Sequence, residues 1–237
     1  MTVALTHLVA LYAIVAAPWL GRILYQKARR GIEAGDPLAK VRLYRQFFVE
    51  QVIGTAVVLG LCLCGAIPAG NLGLGAPRSW WLSSSLAFAL SGLLLRSGIR
   101  LQPKARRIRE KVKGSVDALL PDTPEERRWL AAVSVGAGIS EELLFRGFLF
   151  YYLTLWFPHI HSLECALVTS LIFGIGHLYQ GWKGIVSTGL VGLVMAGLYA
   201  LTGNLLVPMF VHAATDLRAL LIFWNGSSQP AGTAEAA

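Results

Sequence analysis

The sequence predicts an all-α fold: a polytopic transmembrane helical bundle of about seven spans, with its core in the last four. Three observations carry this. Hydrophobic residues make up 55% of the 237-residue chain and charged residues only 14%, against roughly 25% charged in a soluble domain. The apolar residues come in blocks of about 20 with few charges, which matches a hydrocarbon core of about 30 Å. The basic residues are bunched, seven Lys/Arg from Arg22 to Arg45 and ten from Arg96 to Arg128. Basic connections between apolar blocks read as cytoplasmic segments.

The expected spans run from about Val3 to Leu24, Phe48 to Ala69, Trp80 to Leu95, Pro124 to Trp156, Ser162 to Tyr179, Lys183 to Leu201 and Leu205 to Trp224. The tryptophans fall near the ends of these blocks, where indole prefers the headgroup level. Residues 1–122 form an N-terminal transmembrane region of about three spans with basic cytoplasmic loops. Residues 123–224 form a helical core of four spans, and 225–237 a small, polar, disordered tail. The fourth span has a marked start at Thr123-Pro124-Glu125-Glu126: a capping threonine, proline at the first helical position, and glutamate three residues after the cap. Gly136-Ala137-Gly138 then permits close helix contact or a kink. Gly184, Gly189, Gly192 and Gly197 read as packing positions in the sixth span.

The net charge of +8 does not point to nucleic acid, because no aromatic interleaving or known motif accompanies it. Cys62, Cys64 and Cys165 read as buried thiols rather than a disulfide or metal site. With both basic connections on one side, the N-terminus lies outside and the C-terminus in the cytoplasm. The lone Arg78 is the exception to that orientation. The expected location is integral to a membrane of the bacterial inner-membrane kind.

Glu141, Glu142, Arg146, His177, His212 and Asp216 lie inside predicted spans. A charge at the bilayer centre costs roughly 2.5–3.5 kcal/mol even on lenient scales, so these groups should face each other or a wet cavity. Glu142 and Arg146 are four apart on one face and read as a structural ion pair. Glu141 is turned about 100° away and has no partner on its own helix. His177 and His212 are its candidate partners on other helices. Asp216 shares a face with His212, and Phe173 shares one with His177 and can wall it. A carboxylate and an imidazole in a semi-dry pocket can activate water: Glu141 accepts the proton while His177 orients the water. His212 can donate to a developing oxyanion. The fitting reaction is hydrolysis of a membrane-borne peptide or protein.

Glu141-Glu142-Leu143-Leu144-Phe145-Arg146 resembles the EExxxR motif of the CPBP family, the CAAX-protease and bacteriocin-processing group. Phe173-Gly174-Ile175-Gly176-His177 resembles its FxxxH motif. His212-Ala213-Ala214-Thr215-Asp216 resembles its third motif, a histidine followed four residues later by asparagine or aspartate. The resemblance covers about Thr123 to Trp224. It implies an intramembrane glutamic endopeptidase of the type II CAAX prenyl endopeptidase kind. Glu141 and His177 would activate water, and His212 with Asp216 would form the oxyanion hole. An ionised Asp216 would repel an oxyanion, so it is either protonated or fixes the His212 tautomer from behind. No cofactor is expected; if zinc is bound, Glu141, His177 and His212 are its ligands. The competing readings are a proton-coupled transporter and a non-catalytic membrane scaffold or immunity protein.

Overall fold

The computed structural model describes residues 2–113 and 116–224; the expected disordered tail lies outside them. The described residues are helical throughout their length, joined by short turns. In chain order they form α1 (Thr2–Leu11), α2 (Ala17–Glu33), α3 (Ala39–Leu63), α4 (Trp80–Leu101), α5 (Ala105–Val112), α6 (Pro124–Glu142), α7 (Phe150–Trp156), α8 (Ser162–Gly176), α9 (Gly181–Thr202) and α10 (Leu206–Ile222). α1 and α2 are one helix interrupted by a π turn at Tyr12–Ala16, and α6 and α7 are joined by a π turn at Leu143–Leu149.

Among the described residues, four stretches are long and apolar enough to cross a membrane: Val3–Glu33, Ala39–Leu63, Trp80–Val112 and Leu178–Thr202. Ser162–Gly176 is apolar but shorter. Their outer faces carry bare apolar stripes at helical spacing. Leu163, Leu167, Leu171 and Ile175 are exposed along α8, and Trp182, Val186, Leu190 and Val194 along α9. Rows of this kind four residues apart need a hydrocarbon phase to cover them. The molecule is an all-α membrane bundle.

The basic segments differ from the expected loops. Arg22 to Arg30 lie in α2, and Arg96 to Lys111 mostly in α4 and α5, so the reversals are short. The two segments converge at one end of the bundle. Lys40 pairs with Asp122, Arg109 Nη1 lies 2.7 Å from Asp122 Oδ1, and Arg45 Nη2 lies 3.5 Å from Glu125 Oε1. Tyr44 donates to the Leu119 carbonyl at 2.8 Å. We call this the basic end. Arg78, at the other end, is held by structure: its Nη1 donates to the Ala200 carbonyl at 2.7 Å, a favourable place for a cation at the C-terminus of α9.

α10 packs lengthwise on α4 and α6, α3 packs on α6, and α8 on α9. The main core joins Val9, Val58, Leu61, Leu143, Phe148 and Leu205 with their neighbours. A second cluster at the basic end sets Tyr25 and Ala28 against Leu43 and Ala118. A third seats the apolar face of the amphipathic α5 on Ile222 and Phe223.

Candidate active site

α6 begins as its sequence requires. Thr123 Oγ1 accepts from the Glu126 N–H at 3.2 Å, and the Glu126 carboxylate accepts from the Thr123 N–H. This reciprocal cap fixes the helix at the basic end. The two glutamates lie about 25 Å further along. Here α6 meets α10 closely. A Cβ on Gly138 would come within 2.7 Å of the Met209 carbonyl and 2.8 Å of the Ala213 nitrogen. Glycine is thus what lets the helices bearing Glu141 and His212 approach. The π turn starts directly after Glu142, a distortion common at functional positions.

Glu142 and Arg146 are fully buried. Arg146 Nη1 donates to Glu142 Oε1 at 3.1 Å, and its Nη2 donates to the Gly192 carbonyl at 2.8 Å. The guanidinium carbon stands 4.6 Å from the Phe173 ring centre, within reach of a cation–π attraction. Glycine at 192 makes room for it, since a Cβ there would meet Arg146 Nη2 at 2.8 Å. Glu142 has a second partner that its own helix could not reveal. His212 Nδ1 lies 2.6 Å from Glu142 Oε1. Glu142 therefore links Arg146 to the histidine of α10.

The other ring nitrogen of His212 faces the remaining carboxylates. Nε2 is 3.7 Å from Glu141 Oε2 and 3.9 Å from Asp216 Oδ2. Both separations are too long for direct hydrogen bonds. Glu141 Oε2 is buried and makes no hydrogen bond among the described residues. The residue behind His212 is Glu142, whereas Asp216 stands on the same side as Glu141. His177 closes α8. Its Nδ1 lies 2.9 Å from the Phe173 carbonyl. A carbonyl only accepts, so Nδ1 carries the proton there and Nε2 is left as an acceptor in the neutral ring. The Phe173 ring lies 4.8 Å from that of His177 and 5.8 Å, edge-on, from that of His212. It spaces the two histidines.

Residues 124–218 match the family described as Type II CAAX prenyl endopeptidase Rce1-like. Over this segment the chain is similar to that family. No curated protein and no solved structure matches the chain. The type II CAAX segment runs from the first residue of α6 into α10, and so contains every ionisable side chain just described. Over these residues the chain is similar to CAAX-type membrane proteases.

One cavity of about 420 Å³ unites the CAAX-type residues. Glu141, His177, His212, Asp216 and Phe173 all line it. At the basic end its walls are Val116, Leu119 and Leu120, and α3 contributes Tyr44, Phe47 and Gln51. Tyr12 and Glu50 line it too, and the Tyr12 hydroxyl donates to Glu50 Oε1. In the span expected from Phe48 to Ala69, Glu50 falls close to the start. α3 in fact starts at Ala39, which carries Glu50 about 16 Å along the helix. Tyr12 offered one signal, a polar-tipped ring within an apolar block. Among the described residues, no three His, Cys, Asp or Glu side chains are arranged to hold a metal ion.

Proposed function

We propose that the chain is an intramembrane endopeptidase that hydrolyses peptide bonds of membrane-associated proteins or peptides by a glutamic mechanism. The observation that carries this is Glu141: a carboxylate whose buried Oε2 makes no hydrogen bond among the described residues, on the wall of the cavity that His177 and His212 also line. A water in that cavity would give its proton to Glu141 as it attacks the carbonyl carbon. His177 Nε2, left as an acceptor by the Phe173 carbonyl on Nδ1, would hold the same water by its second hydrogen. Attack turns the carbonyl oxygen into an oxyanion. His212 Nε2 points toward the cavity carboxylates and would donate to that oxygen.

This role requires a proton on each nitrogen of His212, because the Glu142 carboxylate occupies Nδ1 at 2.6 Å. Glu142 supplies the counter-charge and holds the ring at a fixed angle, in the manner of a carboxylate behind a catalytic histidine. Asp216, 3.9 Å from the same Nε2, is placed to tune that nitrogen rather than to orient the ring from behind. The proton held by Glu141 then passes to the leaving amine. Water would reach the cavity from the basic end, which we place in the cytoplasm by the excess of Lys/Arg there.

The test is cleavage by purified protein in liposomes, with prenylated and non-prenylated membrane peptides as substrates. Glu141→Ala and His177→Ala should each lower kcat by a factor of about 100 or more, the scale of general acid–base catalysis. Wild-type rates in both variants would rule the mechanism out. Activity lost on chelation together with stoichiometric metal would replace it with a metal-dependent one.

A further inference from the structure

A second hollow lies beside the catalytic cavity and shares lining residues with it. It runs between α1–α2 and α3, has a volume of about 600 Å³, and is walled by Leu8, Val9, Leu20, Val49, Ile53 and Val57. Tyr12, Glu50, Gly54 and Leu144 line both spaces. Leu20, Val49 and Ile53 also expose much of their surface outward, so this hollow faces hydrocarbon along most of its length, with Arg45 and Gln46 at its basic end. Across the junction, the Tyr12 hydroxyl donates to Glu50 Oε1. Gly54, which lines both spaces, faces open room: an added Cβ would meet nothing within 4 Å. Tyr12 also opens the π turn of the first helix, in which Ala17 N–H donates to the Tyr12 carbonyl. Such turns are frequent at functional positions.

Resting on the proteolytic reading above, we propose that Tyr12 and Glu50 form a latch between the bilayer and the catalytic cavity, parted by the scissile stretch of a membrane-embedded substrate as it moves in sideways. The chemistry of the junction selects a peptide as the occupant. A polypeptide that unwinds in hydrocarbon exposes N–H and C=O groups with no partner. Glu50 can accept from such an N–H, and the Tyr12 hydroxyl can donate to such a C=O. The latch bond is thereby exchanged for two bonds to the substrate backbone, and no polar group is stranded. A lipid chain offers neither group and would leave the latch shut. Tyr12 and Glu50 are thus positioning residues for the substrate and take no part in bond cleavage.

The experiment uses the full chain in liposomes and one quenched fluorogenic peptide that it cleaves. The peptide is presented free in solution and fused to a Leu/Ala transmembrane segment of about 20 residues. The readout is the ratio of kcat/KM for the fused form to that for the free form. Gly54→Leu fills the passage and should lower the ratio about tenfold or more. Tyr12→Phe removes the latch bond together with one of the two bonds to the substrate backbone and should shift the ratio at least about threefold. Glu50→Gln keeps an acceptor for the Tyr12 hydroxyl and should restore a ratio close to that of the wild type. Parallel changes in both substrates would make the pair a structural brace and overturn the latch, as would ratios unmoved in Gly54→Leu and Tyr12→Phe. Failure of the wild type to cleave either form, or undiminished cleavage by Glu141→Ala, would instead overturn the proteolytic reading and the latch with it.

Discussion

Arg146 holds a charge where no surface is open to solvent, and it is kept there by two acceptors and a ring. Glu142 takes one of its donors at 3.1 Å and the Gly192 carbonyl another at 2.8 Å. Removing one partner of a buried pair costs about 3–5 kcal/mol, because the other charge is left uncompensated. Arg146→Met should lower stability by that order, read as the unfolding midpoint in detergent. Replacing Glu142 by Gln in the same chain should recover part of the loss, since the carboxylate that Arg146 left behind is then gone. The pair was legible in the sequence because a helix fixes residues four apart on one face. The bond from Glu142 to His212 was not. It joins side chains 70 positions apart, and no local periodicity encodes a contact of that range. The same reason hid the role of Glu50, whose partner Tyr12 is on another helix.

At the scale of helices, the contact between α6 and α10 sets the geometry of the site. The atoms that an added methyl on Gly138 would strike belong to the Met209 and Ala213 backbone and to Ala213 Cβ, at 2.7–2.9 Å, and backbone cannot swing aside. Gly138→Ala should therefore push the helices apart, with a stability cost of about 1–3 kcal/mol from overpacking and a fall in kcat as Glu141 recedes from His212. Gly197→Ala is the control: nothing lies within 4 Å of a Cβ there, and alanine is the better helix former. Cleavage by Gly138→Ala equal to that of the control would show that this contact does not set the catalytic geometry. The small residues before Glu141 announced a close approach in the sequence. The π turns at Tyr12 and Leu143 did not announce themselves, because tertiary packing rather than local propensity decides where a helix widens. Helix ends were blurred for a related reason: hydropathy falls where basic residues begin, but α2 and α4 continue past that point as helix.

Across the whole molecule, Asp122 clasps the two basic segments by taking Lys40 from one and Arg109 from the other. Partial burial pushes its carboxyl up, but the hydrogen bonds and charges of Lys40 and Arg109 outweigh this and hold it below the ordinary carboxylate range. A carboxyl whose folded value is depressed stabilises the fold above its unfolded value of about 3.9. That contribution is lost as the pH falls through the lower, folded value. The unfolding midpoint of the wild type should therefore drop more steeply below about pH 4 than that of Asp122→Asn, which should already be lower at neutral pH. Superimposable acid limbs would show that the clasp contributes nothing. The convergence of the basic segments could be anticipated from charge clustering under the positive-inside rule. Their meeting through one aspartate could not, because Asp122 stands 82 residues from Lys40.

The π turn at Tyr12–Ala16 also bears on descent. A π turn is in effect one residue spliced into an α-helix, and removing that residue restores regular winding while the flanks keep their facing. A kindred chain without the turn would align with a single gap between Tyr12 and Pro18. Such a gap would mark a local loss of the widened turn, not an unrelated N-terminal region, and comparisons of this helix should be scored with that gap allowed.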